Sequence, residues 1–264
     1  MKNKPDLTIK GTGDPVIFLH GLGGDSNQWQ KLLSKDLPFQ MMFPDMPGHG
    51  QNNQVPESGF SFDSYTEEVK GLMDDDADKR YILAGISMGA GIAMRLARKY
   101  PEKIKKVVLL RPAWLNNPFP ANLDILYRLG IKWAAGNTEE TRQWLLSDKE
   151  YILIKNESAA CAGSVESQLN RSNPKLAART LTDICSDAPI RTIDEIKSID
   201  VPVLIIGTEK DPLHPVHIAR QFHEWLPDSR FSLIASRYDY PEEHKEELNT
   251  VLAEFITGND LPRG

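Results

Sequence analysis

Tyr81-Ile82-Leu83-Ala84-Gly85-Ile86-Ser87-Met88-Gly89-Ala90-Gly91 is the stretch that decides the fold. Residues 81–86 form an apolar run of strand length. Residues 90–99 read as a helix, with Arg98 and Lys99 at its negative end and Pro101 as its stop. Between them stands Gly85-Ile86-Ser87-Met88-Gly89, the pattern G-x-S-x-G. A strand that reverses into a helix this tightly needs glycine on both sides, where a Cβ would collide with strand or helix. The serine is left on a strained turn with its hydroxyl at the end of a sheet. Average residue usage gives on the order of 0.1 chance matches in a chain this long, so the pattern draws its meaning from the flanking strand and helix. The plainer role for Ser87 is a turn serine that caps the next helix.

Strands and helices alternate on both sides of this turn. Upstream, residues 7–10 are a possible edge strand, Gly11-Thr12-Gly13-Asp14 a turn, and Val16-Ile17-Phe18-Leu19 a strand buried on both faces. Ser26 or Asn27 can cap a short helix through Trp29, Leu32 and Leu33. Residues 39–43 are the next strand. Ser64 and Glu67 then form an S-x-x-E capping box before the stripe Tyr65, Val69, Leu72, Met73. Downstream, residues 107–110 are another buried strand. From 111 to 192 the alternation stops, and helices are expected over 122–135, 138–147, 149–162 and 175–185. It resumes with a strand over 201–207, where Pro202 stands near the start, a helix over 216–225, a strand over 230–235 and a helix over 241–256.

This order predicts an α/β fold with a mostly parallel central sheet and helices on both faces. The expected organisation is a core of residues 1–110 and 193–264, with residues 111–192 as a helical cap or lid more mobile than the sheet. In such sheets the ligand site lies beyond the carboxyl ends of the strands.

Composition narrows the function. The 264 residues carry a net charge of -6 and show no basic run, which argues against a nucleic-acid surface. Asp74-Asp75-Asp76 reads as a solvated helix end or loop. Two cysteines, Cys161 and Cys185, are too few for a disulfide framework and read as buried thiols. The first residues lack the apolar core of a signal peptide, and no apolar run approaches membrane-spanning length, so a cytoplasmic location is expected. No metal constellation, dinucleotide fingerprint or P-loop is visible, and no cofactor is expected.

A serine hydroxyl attacks only when a base takes its proton, and the base is usually a histidine oriented by a carboxylate. Asp211, in Gly207-Thr208-Glu209-Lys210-Asp211-Pro212 after a buried strand, is the candidate acid, with Glu209 as fallback; a turn or cap aspartate is the alternative. Of six histidines, His244 alone follows the last strand, and it lies four residues before Leu248 on the stripe Leu248, Val251, Leu252, Phe255. It should face the sheet and is the candidate base, or else a core-packing histidine; His214, three residues after Asp211, is the runner-up. Acyl transfer also needs two donors for the developing oxyanion. These are expected from the Met88 amide and from the loop Gly21-Leu22, braced by His20, most simply through the Leu22 amide. Arg111 directly follows a buried strand and could bind a substrate carboxylate or pair with Asp45 or another acid. Trp114, Phe119, Leu123, Leu126, Tyr127 and Trp133 could line a partly apolar pocket for a small-molecule substrate, or pack the cap on the core.

Taken together, His20-Gly21-Leu22-Gly23, Asp45-Met46-Pro47-Gly48-His49-Gly50, Gly85-Ile86-Ser87-Met88-Gly89 and Asp211 resemble the α/β-hydrolase superfamily, in its serine hydrolase branch with a helical cap. The resemblance spans residues 7–256. It implies the order Ser, Asp, His for the catalytic residues and no cofactor. The chain departs from the pattern where Ser236-Arg237-Tyr238-Asp239-Tyr240-Pro241 stands in place of the usual Gly-His before the last helix. Its first strand is also absent or very short. Two functions follow as expectations. One is a serine hydrolase that cleaves a small ester, thioester, lactone or related acyl compound through an acyl-enzyme on Ser87. The other is a ligand-binding sensor on the same scaffold. Carbon–carbon bond hydrolysis and cofactor-free haloperoxidase-type chemistry would use similar residues.

Overall fold

The structure is a computed structural model that describes residues 7–74 and 78–258. Residues 1–6 and the Asp75 and Asp76 part of the acidic run lie outside the described residues. Asp74 ends a helix, as expected, and pairs there with Lys70 (2.7 Å) and Lys103 (3.3 Å).

Among the described residues seven strands make one sheet: β1 (Leu7–Lys10), β2 (Pro15–Leu19), β3 (Gln40–Pro44), β4 (Tyr81–Ile86), β5 (Ile104–Leu110), β6 (Val203–Thr208) and β7 (Ser229–Ile234). Their order is β1-β3-β2-β4-β5-β6-β7. Short β1 pairs antiparallel with β3 at the edge, and the other neighbours are parallel. The order reverses between β2 and β4, so the loops after these two strands open side by side. A crevice at such a reversal is where open parallel sheets place ligands.

Helices α1 (Asn27–Leu32), α2 (Phe62–Met73) and α3 (Met88–Lys99) lie in the first half. The segment between β5 and β6 holds α4 (Asp124–Ala135), α5 (Thr138–Ser147), α6 (Lys149–Glu157), α7 (Ala159–Glu166), α8 (Pro174–Cys185) and the short α9 (Ile193–Lys197). It holds no strand among the described residues. α10 (Val216–Trp225) and α11 (Pro241–Thr257) complete the fold.

The period-2 alternation of β2 divides the core. Val16 and Phe18 face α1 and α11, packing with Trp29, Leu248 and Leu252. Ile17 and Leu19 face α2 and α3, packing with Phe62, Tyr65 and Met88. Full burial of such a side chain stabilises by roughly 1.5–3 kcal/mol. The second cluster continues without a break into the helical segment, through Trp114, Leu123, Leu129, Trp133, Tyr151 and Leu181. That segment therefore rests on the same apolar mass as the sheet. α4 meets α8 at Gly130, where a Cβ would come within 2.8 Å of the Ala178 carbonyl.

Local capping chemistry departs from expectation at three places. Ser26 precedes α1 without a side-chain capping bond, and the Asn27 amide donates to Asp25 Oδ1 at 2.8 Å. The capping box of α2 is Ser61 with Ser64, not Ser64 with Glu67. Ser61 Oγ accepts from the Ser64 amide at 3.0 Å, and Ser64 Oγ accepts from the Ser61 amide at 2.9 Å. Glu67 instead reaches Tyr100 Oη at 2.7 Å. The run expected as one helix over 149–162 breaks at Ser158, whose hydroxyl caps α7 by accepting from the Cys161 amide at 3.2 Å.

The elbow glycines admit a direct test. A Cβ on Gly85 would lie 2.1 Å from the Gly89 carbonyl oxygen, and one on Gly89 would lie 2.2 Å from that of Leu19. Gly71 and Gly163, both helical, have nothing within 4 Å. In urea unfolding, Gly85→Ala and Gly89→Ala should each lose about 3 kcal/mol or more. Gly71→Ala and Gly163→Ala should each gain roughly 0.5–1 kcal/mol.

Candidate active site

The elbow places Ser87 at the carboxyl end of β4. Its backbone sits at φ 52°, ψ -109°, a conformation that costs a non-glycine residue on the order of 1–3 kcal/mol. The surroundings hold it there: the Ser87 amide donates to the Leu110 carbonyl (3.1 Å), and the Ala90 and Gly91 amides donate to the Ser87 carbonyl (3.0 and 3.2 Å). The Ser87 side chain makes no capping bond to α3, so the plain capping role does not hold. Met88 is the first residue of α3, and a first-turn amide has no acceptor within its own helix.

Ser87 lines a cavity of about 400 Å³, together with Gly21, Leu22, Arg111, Trp114 and His214. Gln28, Leu123, Leu126, Gln168 and Arg237 add to its wall. The loop after β2 is built to stand against Ser87. A Cβ on Gly21 would already touch Ser87 Cβ at 3.5 Å. His20, fully buried, accepts at Nε2 from the Met46 amide (3.0 Å), which puts its proton on Nδ1 to donate to the Gly21 carbonyl (2.9 Å). Burial holds His20 below the ordinary histidine value, which keeps this neutral bracing form. Gln28 Oε1 accepts from the Gly21 amide at 2.7 Å. From the helical segment, Gln168 Nε2 donates to the Leu22 carbonyl at 3.4 Å.

Asp211 lies behind the wall after β6, with its side chain 1% exposed. One of its oxygens, Oδ2, collects three cationic or donor groups. Arg111 Nη1 donates to it at 3.3 Å, His214 Nδ1 lies 3.0 Å away but off the line of a hydrogen bond, and Arg237 Nε stands at 4.0 Å. The second oxygen has the Cys161 thiol at 3.8 Å. Burial would push the Asp211 carboxyl up. His214, Arg111 and Arg237 outweigh it and hold the group well below the usual carboxylate range. Arg111 leaves β5 at φ 50° and is buried, with its amide bonded to the Ile206 carbonyl at 2.8 Å. Its acid is therefore Asp211. Asp45 is engaged elsewhere, accepting from the Ser26 (2.6 Å) and Gln51 (2.9 Å) amides.

The histidine beside Asp211 is His214 and not His244, which corrects the pairing read from helical phase. Asp211 and His214 belong to one turn, closed by the His214 amide on the Asp211 carbonyl at 3.0 Å. His244 does face inward and is fully buried, as its phase requires. The loop before it folds back on itself, with the Tyr240 amide on the Ser236 carbonyl at 2.9 Å. That fold sets His244 Nδ1 on the Ala235 carbonyl at 2.8 Å and leaves Nε2 without a hydrogen-bond partner. His244 is not among the residues that line the cavity. Burial lowers both histidines below their ordinary value, so each is neutral near pH 7.

Of the residues proposed to line a pocket, Trp114, Leu123 and Leu126 do so. Trp133 is buried in the core and Phe119 is exposed. Gln28, Gln168 and Arg237 were not anticipated. Gln28 and Gln168 carry no motif; Arg237 follows the last strand, where a loop at the carboxyl edge of the sheet is the available signal. Among the described residues, no group of three or more His, Cys, Asp or Glu is arranged to hold a metal ion. Among the described residues, no helix is long and apolar enough to cross a membrane.

The chain belongs to the α/β hydrolase fold family, whose model matches residues 14–240. It is 27% identical over 258 residues to the AB hydrolase superfamily protein YisY of Bacillus subtilis strain 168, covering 93% of this chain and 92% of that protein. It is 22% identical over 271 residues to the 2-hydroxymuconate semialdehyde hydrolase of Pseudomonas sp. strain CF600, covering 97% and 92%. Among solved structures, a thermophilic esterase from Thermogutta terrifontis matches its fold with a TM-score of 0.74 at 18% identity, over 96% of this chain and 92% of that one.

Removing the Asp211 charge strands Arg111 in the interior. Breaking a buried pair from one side typically costs 3–5 kcal/mol, so the near-isosteric Asp211→Asn should lose about 3 kcal/mol or more in urea unfolding at pH 7. A loss under about 1 kcal/mol would mean that Arg111 is held by other groups.

Proposed function

We propose that this chain is a serine hydrolase acting on small acyl compounds such as esters, thioesters or lactones. Ser87 is the nucleophile, and His214, oriented by Asp211, is the base. The observation that carries this reading is the shared cavity: the strained Ser87 and His214 both stand on its wall, with Asp211 3.0 Å from the imidazole. With the His214 proton on Nδ1 beside Asp211, Nε2 is left as the acceptor for the serine proton. The helices between β5 and β6 serve as a cap that roofs the serine, with Trp114, Leu123 and Leu126 as its apolar lining.

Ser87 Oγ bonds to the carbonyl carbon as its proton passes to His214. The oxyanion meets the Met88 and Leu22 amides. The bond to the leaving group breaks as His214 returns the proton to it. Water, deprotonated by His214, then attacks the acyl-enzyme, and the proton returns to Ser87 Oγ as the acid departs. Oxyanion donors of this kind contribute roughly 2.7–4 kcal/mol each in comparable enzymes. His244 is given the structural role that its bond to the Ala235 carbonyl supports.

A fluorophosphonate should label Ser87, mapped by mass spectrometry, and Ser87→Ala should abolish ester turnover while circular dichroism stays unchanged. Labelling at another residue would refute the nucleophile. Labelled Ser87 without turnover of any ester in a chain-length panel would favour the ligand-binding sensor on this scaffold.

The base is tested by substitution and by pH. His214→Gln should lower kcat by about 10³-fold or more, whereas His244→Gln should keep it within about tenfold in the folded fraction. The base works only when neutral, and burial holds His214 below 6.5. The kcat/KM of the wild type should therefore be flat above that pH and fall as pH drops further. Loss of activity in His244→Gln alone would move the base to the last helix.

A further inference from the structure

Charge around Asp211 does not balance. Arg111 and Arg237 both direct a guanidinium at one carboxylate oxygen, at 3.3 and 4.0 Å. One carboxylate offsets one of the two. Asp25 and Lys31, at the same cavity, are of opposite sign and offset each other. His214, His244, Cys161 and Tyr238, which also border this cluster, are neutral near pH 7; Glu247, close to His244, accepts from the Ala235 amide (2.6 Å), and Asp239 pairs with Lys210 (3.3 Å). Burial lowers His214 and His244, pushes the Cys161 thiol up to about 11, and pushes Tyr238 up to about 12. Burial and then Arg237 push Arg111 down to about 10, which leaves it charged. One unit of positive charge thus remains on the cavity wall.

Hydrogen bonding shows the same deficit. Nε of Arg111 and Nε of Arg237 are both buried without a partner. An unmet buried donor on a charged group is costly unless something else satisfies it. Arg111 is 1% exposed. Arg237 keeps 24% of its side chain exposed, so it is the one of the pair that a ligand can reach. It also lies over the Tyr238 ring, 4.3 Å from the centroid, and donates to the Tyr238 hydroxyl. A guanidinium already held by a ring and a hydroxyl loses little freedom on meeting a planar anion.

We propose that Arg237, backed by Arg111, forms a carboxylate subsite, and that the substrate is an acyl compound bearing a free carboxylate. This rests on the hydrolase reading above and specifies its substrate class. A monoanion matches the excess of one charge, whereas a phosphate monoester, near -2 at neutral pH, exceeds it. Trp114, Leu123 and Leu126 supply an apolar wall for the carbons between the carboxylate and the scissile carbonyl.

The test has a kinetic and a binding arm. In the first, monoethyl esters of succinate, glutarate and adipate are compared by pH-stat with the matching neutral ester amides. The best free acid should exceed its amide by about tenfold or more in kcat/KM, mainly through KM. The ratio should fall to about one in Arg237→Gln and recover in part in Arg237→Lys, which keeps the charge. In the second arm, the free diacids should raise the melting temperature of the Ser87→Ala protein, and their diamides should not. The shift should shrink with added salt.

Esters hydrolysed without preference for the acid at any length would overturn the subsite and leave the hydrolase reading standing. Diacid binding without turnover of any ester would do the reverse. Neither turnover nor binding would overturn both. The wild-type ratio of acid to amide decides the kinetic arm even where an Arg237 variant fails to fold.

Discussion

Oδ2 of Asp211 is the atom on which the architecture around the cavity depends. It is buried, ionised, and approached by Arg111, His214 and Arg237, which come from three different loops. Those loops follow β5, β6 and β7, adjacent strands of one parallel sheet. The carboxylate therefore ties the ends of three neighbouring strands together electrostatically at the edge where the cavity opens. In a low-dielectric interior such an arrangement holds only if the charges compensate, because each ion gives up several kcal/mol of hydration. Arg111 is the necessary counterpart. Its left-handed backbone at the end of β5 turns the chain out of the sheet, and its guanidinium stands 3.3 Å from Asp211 Oδ2.

A second constraint, steric in nature, acts one strand away. α3 packs so closely on the ends of β2 and β4 that Gly85 and Gly89 have no room for a Cβ. That approach forces Ser87 into its positive φ and stands it against Gly21 of the next loop. The energy for this strain comes from burial of Met88, Ala90, Ile92 and Ala93 on the α3 face. Ser87 and the Gly21-Leu22 loop are thus set by packing, and Asp211 and its partners by charge. The cavity lies where the two meet.

Most of this was legible in the sequence wherever a local rule applied. The G-x-S-x-G turn, the apolar strands and the edge strand Leu7–Lys10 all obey short-range sterics or periodicity. Other features needed information that periodicity does not carry. Ser61 and Ser64 are both acceptable caps, and the choice between them was settled by Ser64 bonding back to Ser61, with no glutamate involved. Ser158 interrupts a helical pattern by offering its own hydroxyl to the next helix. Helical phase turned His244 inward correctly but said nothing of which neighbour it would meet. That depended on the fold of the loop from Ala235 to Tyr240, which has no period to read.

The same loop bears on how a chain without the expected Gly-His can still set a histidine beside Asp211. A base on the last helix would need the long-range docking of that helix to bring imidazole and carboxylate together. Asp211 and His214 need only one turn, closed by a backbone hydrogen bond of 3.0 Å. Three residues of chain are then enough to define the pair, and the loop after β7 is released from supplying it. What that loop carries instead is Arg237 over Tyr238, directed at the same carboxylate oxygen. On the proposed reading, moving the base into the β6 loop and placing a guanidinium after β7 are two sides of one change. On that reading, the position freed from proton transfer is the one that gives the cavity its charge.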